Sequence, residues 1–207
     1  MGAALLCSCR PLPAPAPLAG SSQLQAVLAR ADQLQDGDLV FRRGRDLMSS
    51  LVLQQGHASR FSHVGMVVRD GAQVRIIHAM PDEPGRAGGV RQESLAAFLA
   101  APVASDAASY RLPGVDRAGL RQWLHQQLGK PFDSRFVLSD AGALYCSELV
   151  LRALDAGGQP HRVAVVAAPL IQEPVVTPDA LRAIPGLLPL AGDLPEPSGQ
   201  AAAVSGR

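Results

Sequence analysis

Two segments rich in β-branched residues flank a short turn near the middle of this chain, and they constrain its fold more than any other feature. The first covers residues 62–68 (SHVGMVV) and the second covers residues 73–80 (QVRIIHAM). The dipeptide Asp70-Gly71 between them is typical of tight turns, which predicts an antiparallel β-hairpin. Any fold of this chain must therefore include an antiparallel sheet built around this hairpin.

Helical patterns lie on both sides of the hairpin, and shorter strands surround it. Helices are predicted at residues 21–34, 115–129 and 146–158, with brief ones at 93–100 and 176–185. A short strand is predicted after a turn at Asp36-Gly37, up to Phe41, and others are predicted at residues 108–114 and near Val90. In the helix of residues 115–129, the side chains predicted to face the core are those of Leu120, Trp123, Leu124 and Leu128. Strands gathered in the middle favour an α+β fold, with a curved antiparallel sheet or partial barrel flanked by helices.

The composition fits one globular domain and argues against a nucleic-acid partner. The 207 residues are 47% hydrophobic and 18% charged, and the formal net charge is +1, as in an ordinary folded domain. The sequence has no basic stripe and only 4% aromatic residues, so neither phosphate binding nor base stacking is expected.

The two ends of the chain differ in composition from the middle. Residues 1–22 and 191–207 are predicted to be disordered tails around a domain at residues 23–190. The N-terminal LCSC resembles a bacterial lipobox with Cys9 as the acylated residue, followed by a Pro/Ala-rich tether. This interpretation predicts membrane attachment through a lipid and a place in the cell envelope or periplasm. The alternative is a disordered tail in which Cys7 and Cys9 are incidental.

Cys146 lies inside the predicted domain, at the first turn of the helix of residues 146–158. Three cysteines with two crowded at one end do not form a disulfide framework, and no CxxC or HExxH motif supports a metal site. A lone cysteine is often a small buried hydrophobe. A helix start, however, favours a thiolate and lowers its pKa, which is what a nucleophile needs.

Two histidines on the predicted hairpin supply a base for that nucleophile. His63 and His78 lie on adjacent strands, at similar distances from the turn. If both point to one face, one imidazole can accept the thiol proton and the other can orient it. The ordinary alternative for each is a structural histidine within a strand.

These residues together resemble a known family. FSHVGMVV and RIIHAM are similar to the histidine-bearing hairpin of NlpC-type papain-fold hydrolases, but here the hairpin precedes YCSELV. That order resembles the circularly permuted branch, the YiiX/YaeF-like amidases, which are relatives of lecithin retinol acyltransferase. GDLVF, GKPFDSRF and VTPDAL add to the similarity over residues 36–190.

The resemblance implies a permuted papain-like fold and assigns roles to individual residues. Cys146 corresponds to the nucleophile, His63 to its base and His78 to the third, polar position, with Glu83 as an alternative orienter. Tyr145 and Ser147 are candidates for substrate binding or for the oxyanion site. No cofactor is expected.

The family implies hydrolysis of an amide or ester bond, in cell-wall peptides or in lipid-like acyl amides. Two alternatives stay open: an acyltransferase using the same site, and a non-catalytic module that binds peptide or lipid in a papain-like cleft. A thiol pKa near 8.5 favours the binding module, and a markedly depressed one favours the enzyme.

Overall fold

The computed structural model of this protein describes residues 21–45, 59–167 and 173–193. The helices in this part of the chain are α1 (Ser22–Ala29), α2 (Leu95–Phe98), α3 (Arg117–Gln127), α4 (Cys146–Ala156) and α5 (Pro178–Arg182). The strands are β1 (Leu39–Gly44), β2 (His63–Asp70), β3 (Gln73–Met80), β4 (Gly89–Ser94), β5 (Ala104–Arg111), β6 (Val165–Val166), β7 (Val175–Val176) and β8 (Leu188–Ala191). A 3-10 turn, Ala31–Gln33, follows α1.

A six-stranded antiparallel sheet forms the centre of the fold, in the order β4-β3-β2-β1-β5-β8. The hairpin of β2 and β3 is confirmed, with Asp70 paired to Gln73 at its turn. Strands β6 and β7 form a separate two-stranded ribbon. The expected α+β class, with a large antiparallel sheet flanked by helices, is confirmed.

Each face of the sheet buries its own hydrophobic cluster against helices. On one face, Val64 and Met66 of β2 pack with Leu149 of α4 and Leu120 of α3. On the other face, Val67 of β2 joins a cluster that includes the apolar residues of α1 and α2. Successive residues of a strand point to opposite faces, so His63 and Val67 share the α1/α2 face.

Local sequence signals explain where the main helices begin. The Asp116 side chain accepts from the backbone N–H groups of Ala118 and Gly119 at the start of α3. Thr177 caps α5 in the same way, with Pro178 at its first position. A side-chain acceptor at this point satisfies backbone donors that a helix leaves free.

The predicted core face of α3 is wrong at its last turn. Leu120 and Leu124 are buried, but Leu128 is 38% exposed and Gln127 is buried instead. The helix ends at Gln127, and Leu128 is its C-cap with extended backbone (φ −55°, ψ 131°). Helical spacing therefore no longer places the Leu128 side chain on the core face.

Strand β8 is not predicted by the sequence pattern, because Pro189 interrupts it. It pairs at the sheet edge with β5, where a proline is tolerated. Just beyond it, Asp193 accepts from the Tyr110 hydroxyl at 2.6 Å and from Arg60 at 2.8 Å.

Some predictions fall outside the described residues. These are the tail over residues 1–20 with the predicted lipidation of Cys9, and the rest of the C-terminal tail from 194 onward. Among the helices that are described, none is both long and apolar enough to cross a membrane.

Candidate active site

Cys146 is the first residue of α4 and is half-buried against the core. The loop before it is held by Asp133, whose carboxylate accepts from the backbone N–H groups of Arg135 and Val137 at 2.9 and 2.6 Å. The backbone N–H of Val64, the residue after His63 in β2, is near enough to the Cys146 thiol to lower its pKa. The structure thus brings Cys146 to the strand that carries His63. Among the described residues, however, no hydrogen bond joins the sulfur to the His63 ring, which packs against Phe98 on the α1/α2 face, whereas Cys146 packs with the cluster on the other face.

The ionisation of the Cys146 thiol differs from the sequence expectation. Burial raises the pKa of Cys146, and this effect exceeds the opposing hydrogen bonds from Ser147 and Val64 and the positive charge of Arg42, which lower it. The helix start therefore does not produce a depressed thiol pKa in this structure. At neutral pH the resting group is a thiol, so attack on a carbonyl requires a base that removes its proton.

His63 and His78 form a direct hydrogen bond across the hairpin. His63 Nε2 lies 2.9 Å from His78 Nδ1, and both rings are buried. The two side chains therefore share one face of the hairpin, which is the condition for one imidazole to orient the other. Within the part of the chain that the structure describes, the other nitrogen of His63, Nδ1, makes no hydrogen bond.

The histidine pair is enclosed by one aromatic ring and one cation. Phe98 of α2 lies 5.6 Å from the His63 ring and 5.1 Å from the His78 ring, centroid to centroid. The Arg42 guanidinium lies 4.5 Å above the Phe98 ring and donates to the Phe98 carbonyl oxygen. Arg42 pairs with His63 across β1 and β2, so a positive charge borders the pair.

This environment keeps both imidazoles neutral. Burial lowers the pKa of His63 well below its usual value, and Arg42, His78 and Arg91 lower it further. Burial also lowers the pKa of His78, to about 4, although Glu93 opposes this shift. A neutral imidazole has one N–H donor and one lone pair, so each ring can both donate and accept.

Sequence reasoning missed Glu93, which lies next to His78. Its Oε2 is 3.6 Å from His78 Nε2, slightly beyond hydrogen-bond length. Its other oxygen lies 2.8 Å from Arg91 Nε and 3.3 Å from Arg86. The nearby His78 ring and the two guanidinium charges lower the pKa of Glu93 to about 2, so it is a carboxylate. The alternation along β4 could have placed Arg91 and Glu93 on one face, but not beside His78.

Glu83, the alternative orienter, lies elsewhere. Its carboxylate accepts from two nitrogens of Arg91 at 3.1 Å, and its side chain is 40% exposed. His78, not Glu83, is hydrogen-bonded to His63.

The residues beside Cys146 have distinct surroundings. Ser147 is buried, with its Oγ 3.7 Å from the Cys146 sulfur. Tyr145 is also buried, and its hydroxyl oxygen accepts from the Val176 backbone N–H at 3.1 Å. Glu148 accepts from Arg152 at 2.8 Å, while burial raises its pKa to about 7. Ser147 thus borders the sulfur, and Tyr145 ties the start of α4 to β7.

The described residues contain no group of three or more His, Cys, Asp or Glu side chains arranged to hold a metal ion.

Comparison with known proteins agrees with this architecture. A family model for permuted papain-like amidase enzymes, YaeF/YiiX, matches residues 33–183. Among solved structures, the metalloprotein YiiX from Escherichia coli is similar, with 25% sequence identity and a TM-score of 0.65. The match covers 79% of this chain and 99% of YiiX. No curated protein sequence matches the chain.

Proposed function

Since this chain belongs to the family of permuted papain-like amidases, we propose that it cleaves an amide or ester bond through an acyl-enzyme formed on Cys146. The family makes it a cysteine hydrolase in the broad sense, and the residue roles below are part of the proposal. The observation that carries the proposal is the buried hydrogen bond between His63 and His78. It lies next to Val64, whose backbone N–H is near the Cys146 thiol.

The chemistry follows from the two neutral groups. As the Cys146 sulfur attacks the substrate carbonyl, its proton passes to the lone pair of His63 Nδ1 through one bridging water, since no direct hydrogen bond joins the two groups in the part of the chain that the structure describes. The same proton then goes to the leaving amine or alcohol, and water later releases the acyl group with His63 again acting as base. His78 holds the His63 ring through Nε2, as the third member of a triad does.

The developing oxyanion needs hydrogen-bond donors near the sulfur. Cys146 and Ser147 lie at the start of α4, where backbone N–H groups have no helical partner. Such donors are suited to an oxyanion. We assign this role to the backbone of Cys146 and Ser147, and to Tyr145 the placement of that helix start through its bond to Val176.

The substrate class follows from the family resemblance. Peptide amides of the cell wall and lipid-like acyl amides are the two candidates, and a panel with one short peptide amide and one long-chain N-acyl amide separates them. An acyltransferase is distinguished by adding an amine or alcohol acceptor and identifying the product.

A non-catalytic binding module is the second candidate, and the raised thiol pKa of Cys146 is the observation that favours it. An enzyme with a resting thiol depends on its base, whereas a binding module has a thiol that reacts independently of His63. The reactivity of Cys146 in a His63 variant therefore distinguishes the two.

The test is alkylation of the full chain by iodoacetamide, followed by peptide mapping of each cysteine. We expect Cys146→Ala to abolish alkylation in the tryptic peptide of residues 136–152 and His63→Ala to slow it, by roughly 10²-fold or more if base assistance is lost. The matched control is Cys9→Ala, which should leave the Cys146 rate unchanged. Equal Cys146 rates in the wild type and the His63 variant would contradict the enzyme proposal.

A further inference from the structure

We propose that Glu93 is a positioning residue that sets the tautomers of both histidines, so that His63 presents an unprotonated Nδ1 for the Cys146 proton. This inference rests on the proposed function. It concerns three side chains in a row, called here the series: Glu93, His78 and His63. Glu93 Oε2 lies 3.6 Å from His78 Nε2, and His78 Nδ1 lies 2.9 Å from His63 Nε2.

Glu93 fixes which nitrogen of each ring carries the proton, because a carboxylate can only accept hydrogen bonds. Two arginines, Arg91 and Arg86, lie within 3.3 Å of its carboxylate and keep it ionised. A cavity of about 360 Å³ lined by Glu93, Arg91 and Arg42 borders this end of the series. A carboxylate has only lone pairs to offer, so the favourable neighbour is an N–H group.

The His78 ring responds to this acceptor. With its Nε2 facing Glu93, the neutral ring is stabilised when the proton is on Nε2. Its Nδ1 then carries the lone pair, and that atom faces His63 Nε2 at 2.9 Å. The opposite tautomer would direct a lone pair of His78 at a carboxylate, which is unfavourable in a buried site.

The consequence reaches His63. Its Nε2 must carry the proton in order to donate to His78, and because the neutral ring has only one proton, Nδ1 is left as a lone pair. This is the state that a general base requires. When the thiol proton arrives, both nitrogens carry hydrogen, and the hydrogen bond to His78 is retained. The negative charge of Glu93 then stabilises the imidazolium and offsets the repulsion from the positive charges of Arg42 and Arg91.

A purely structural role for Glu93 is the competing explanation, since it also anchors Arg91. Glu83 offers a matched control because its carboxylate contacts the same arginine at 3.1 Å. If neutralising Arg91 were the function of Glu93, then Glu83→Gln and Glu93→Gln would have similar effects. If the tautomer is the function, only Glu93→Gln changes the histidines.

The experiment is ring-nitrogen NMR of the ¹⁵N-labelled full chain at pH 7.5. In the wild type we expect both His63 and His78 as Nε2–H tautomers, and in Glu93→Gln a substantial Nδ1–H population in both. Glu83→Gln should match the wild type. A wild-type His63 with its proton on Nδ1 overturns the proposal, and this measurement needs no variant.

Iodoacetamide alkylation of Cys146 between pH 6 and 9 gives a second readout. The charged and titratable groups facing His78 are His63 from β2, Arg42 from β1, and Arg91 and Glu93 from β4. Glu93→Gln should slow alkylation at least about tenfold and change the pH profile, since base assistance contributes about 10²–10⁴-fold.

The alkylation rate of the control, Glu83→Gln, should stay within about twofold of the wild-type rate. Equal losses in the two variants contradict the proposal. An unreactive wild-type Cys146 with the expected tautomers would refute the proposed function but not the tautomer assignment.

Discussion

Gly65→Ala tests how tightly the hairpin holds the histidine pair. A Cβ atom at position 65 would overlap with Ile76 Cγ2, and it would lie 3.1 Å from His78 Cβ and 3.3 Å from the Ile77 carbonyl oxygen. Favourable carbon–carbon contacts lie at about 3.5–4.0 Å, so His78 would have to move by several tenths of an ångström. Gly65 is not among the residues with positive φ, so alanine fits the backbone and the effect is steric.

The magnitude follows from two opposing effects. Adding a methyl group to a well-packed core costs about 1–3 kcal/mol. Replacing glycine by alanine also reduces the entropy of the unfolded chain, which stabilises by about 0.4–1 kcal/mol. The steric effect is the larger here because two of the three neighbouring atoms, on Ile77 and His78, belong to the backbone or are attached directly to it. We expect a net loss of about 1–2 kcal/mol in the free energy of unfolding.

Urea denaturation of the full chain measures this loss as a lower midpoint with an unchanged slope. The control is Gly157→Ala, where φ is −79° and the nearest atoms to the added Cβ lie at 3.4 Å; its stability should stay unchanged or rise by up to about 1 kcal/mol. A cycle with Ile76→Ala adds a further check, because removing Ile76 Cγ2 relieves the overlap. The double variant should lose less stability than the sum of the two single variants.

Gly65→Ala should also change the reactivity of the candidate active site. If His78 moves, its 2.9 Å bond to His63 is strained, and iodoacetamide alkylation of Cys146 should slow more than the loss of stability explains. A Gly65→Ala protein as stable as the wild type, with the same alkylation rate, would refute the reasoning that the hairpin holds the pair rigidly.

Two further predictions concern the start of α4. Tyr145→Phe leaves the buried Val176 N–H without its acceptor, so urea denaturation should show a loss of about 1–3 kcal/mol; an unchanged midpoint would mean that this N–H has another partner. Glu148 has a folded-state pKa of about 7 against an unfolded value of 4.5, so the unfolded state loses its proton first, and this residue's contribution to stability falls as pH rises through that window. The stability of the wild type relative to Glu148→Gln should therefore decrease between pH 5 and pH 7.5, and a flat or rising difference would contradict the assignment.

Much of the fold could be predicted, because the sequence signals for these strands and helix starts are local. Alternating β-branched residues and an Asp-Gly turn specify β2 and β3, and Asp116 and Thr177 mark helix starts through their own side chains. The shared face of His63 and His78 follows from their positions on the hairpin, since pairing at the turn fixes the strand register.

The parts that could not be predicted depend on distant segments. Glu93 lies beside His78 only because Ile76 pairs with Glu93, and His78 with Arg91, across β3 and β4. The loop between those strands gives no turn signal that fixes this register. Phe98 likewise reaches both rings from a four-residue helix.

The thiol pKa of Cys146 shows why a local rule failed at the centre of the site. A helix start favours an anion by a modest amount, about 0.3–1 kcal/mol at exposed positions, whereas burial of a charged group costs several kcal/mol. Burial also depresses the pKa of His63, so burial keeps the thiol protonated and the proposed base unprotonated. In the proposed mechanism the proton is therefore transferred as the sulfur attacks, not before. A negative charge near the base then matters most as the imidazolium forms, which gives Glu93 a role that neither Cys146 nor His63 can fill.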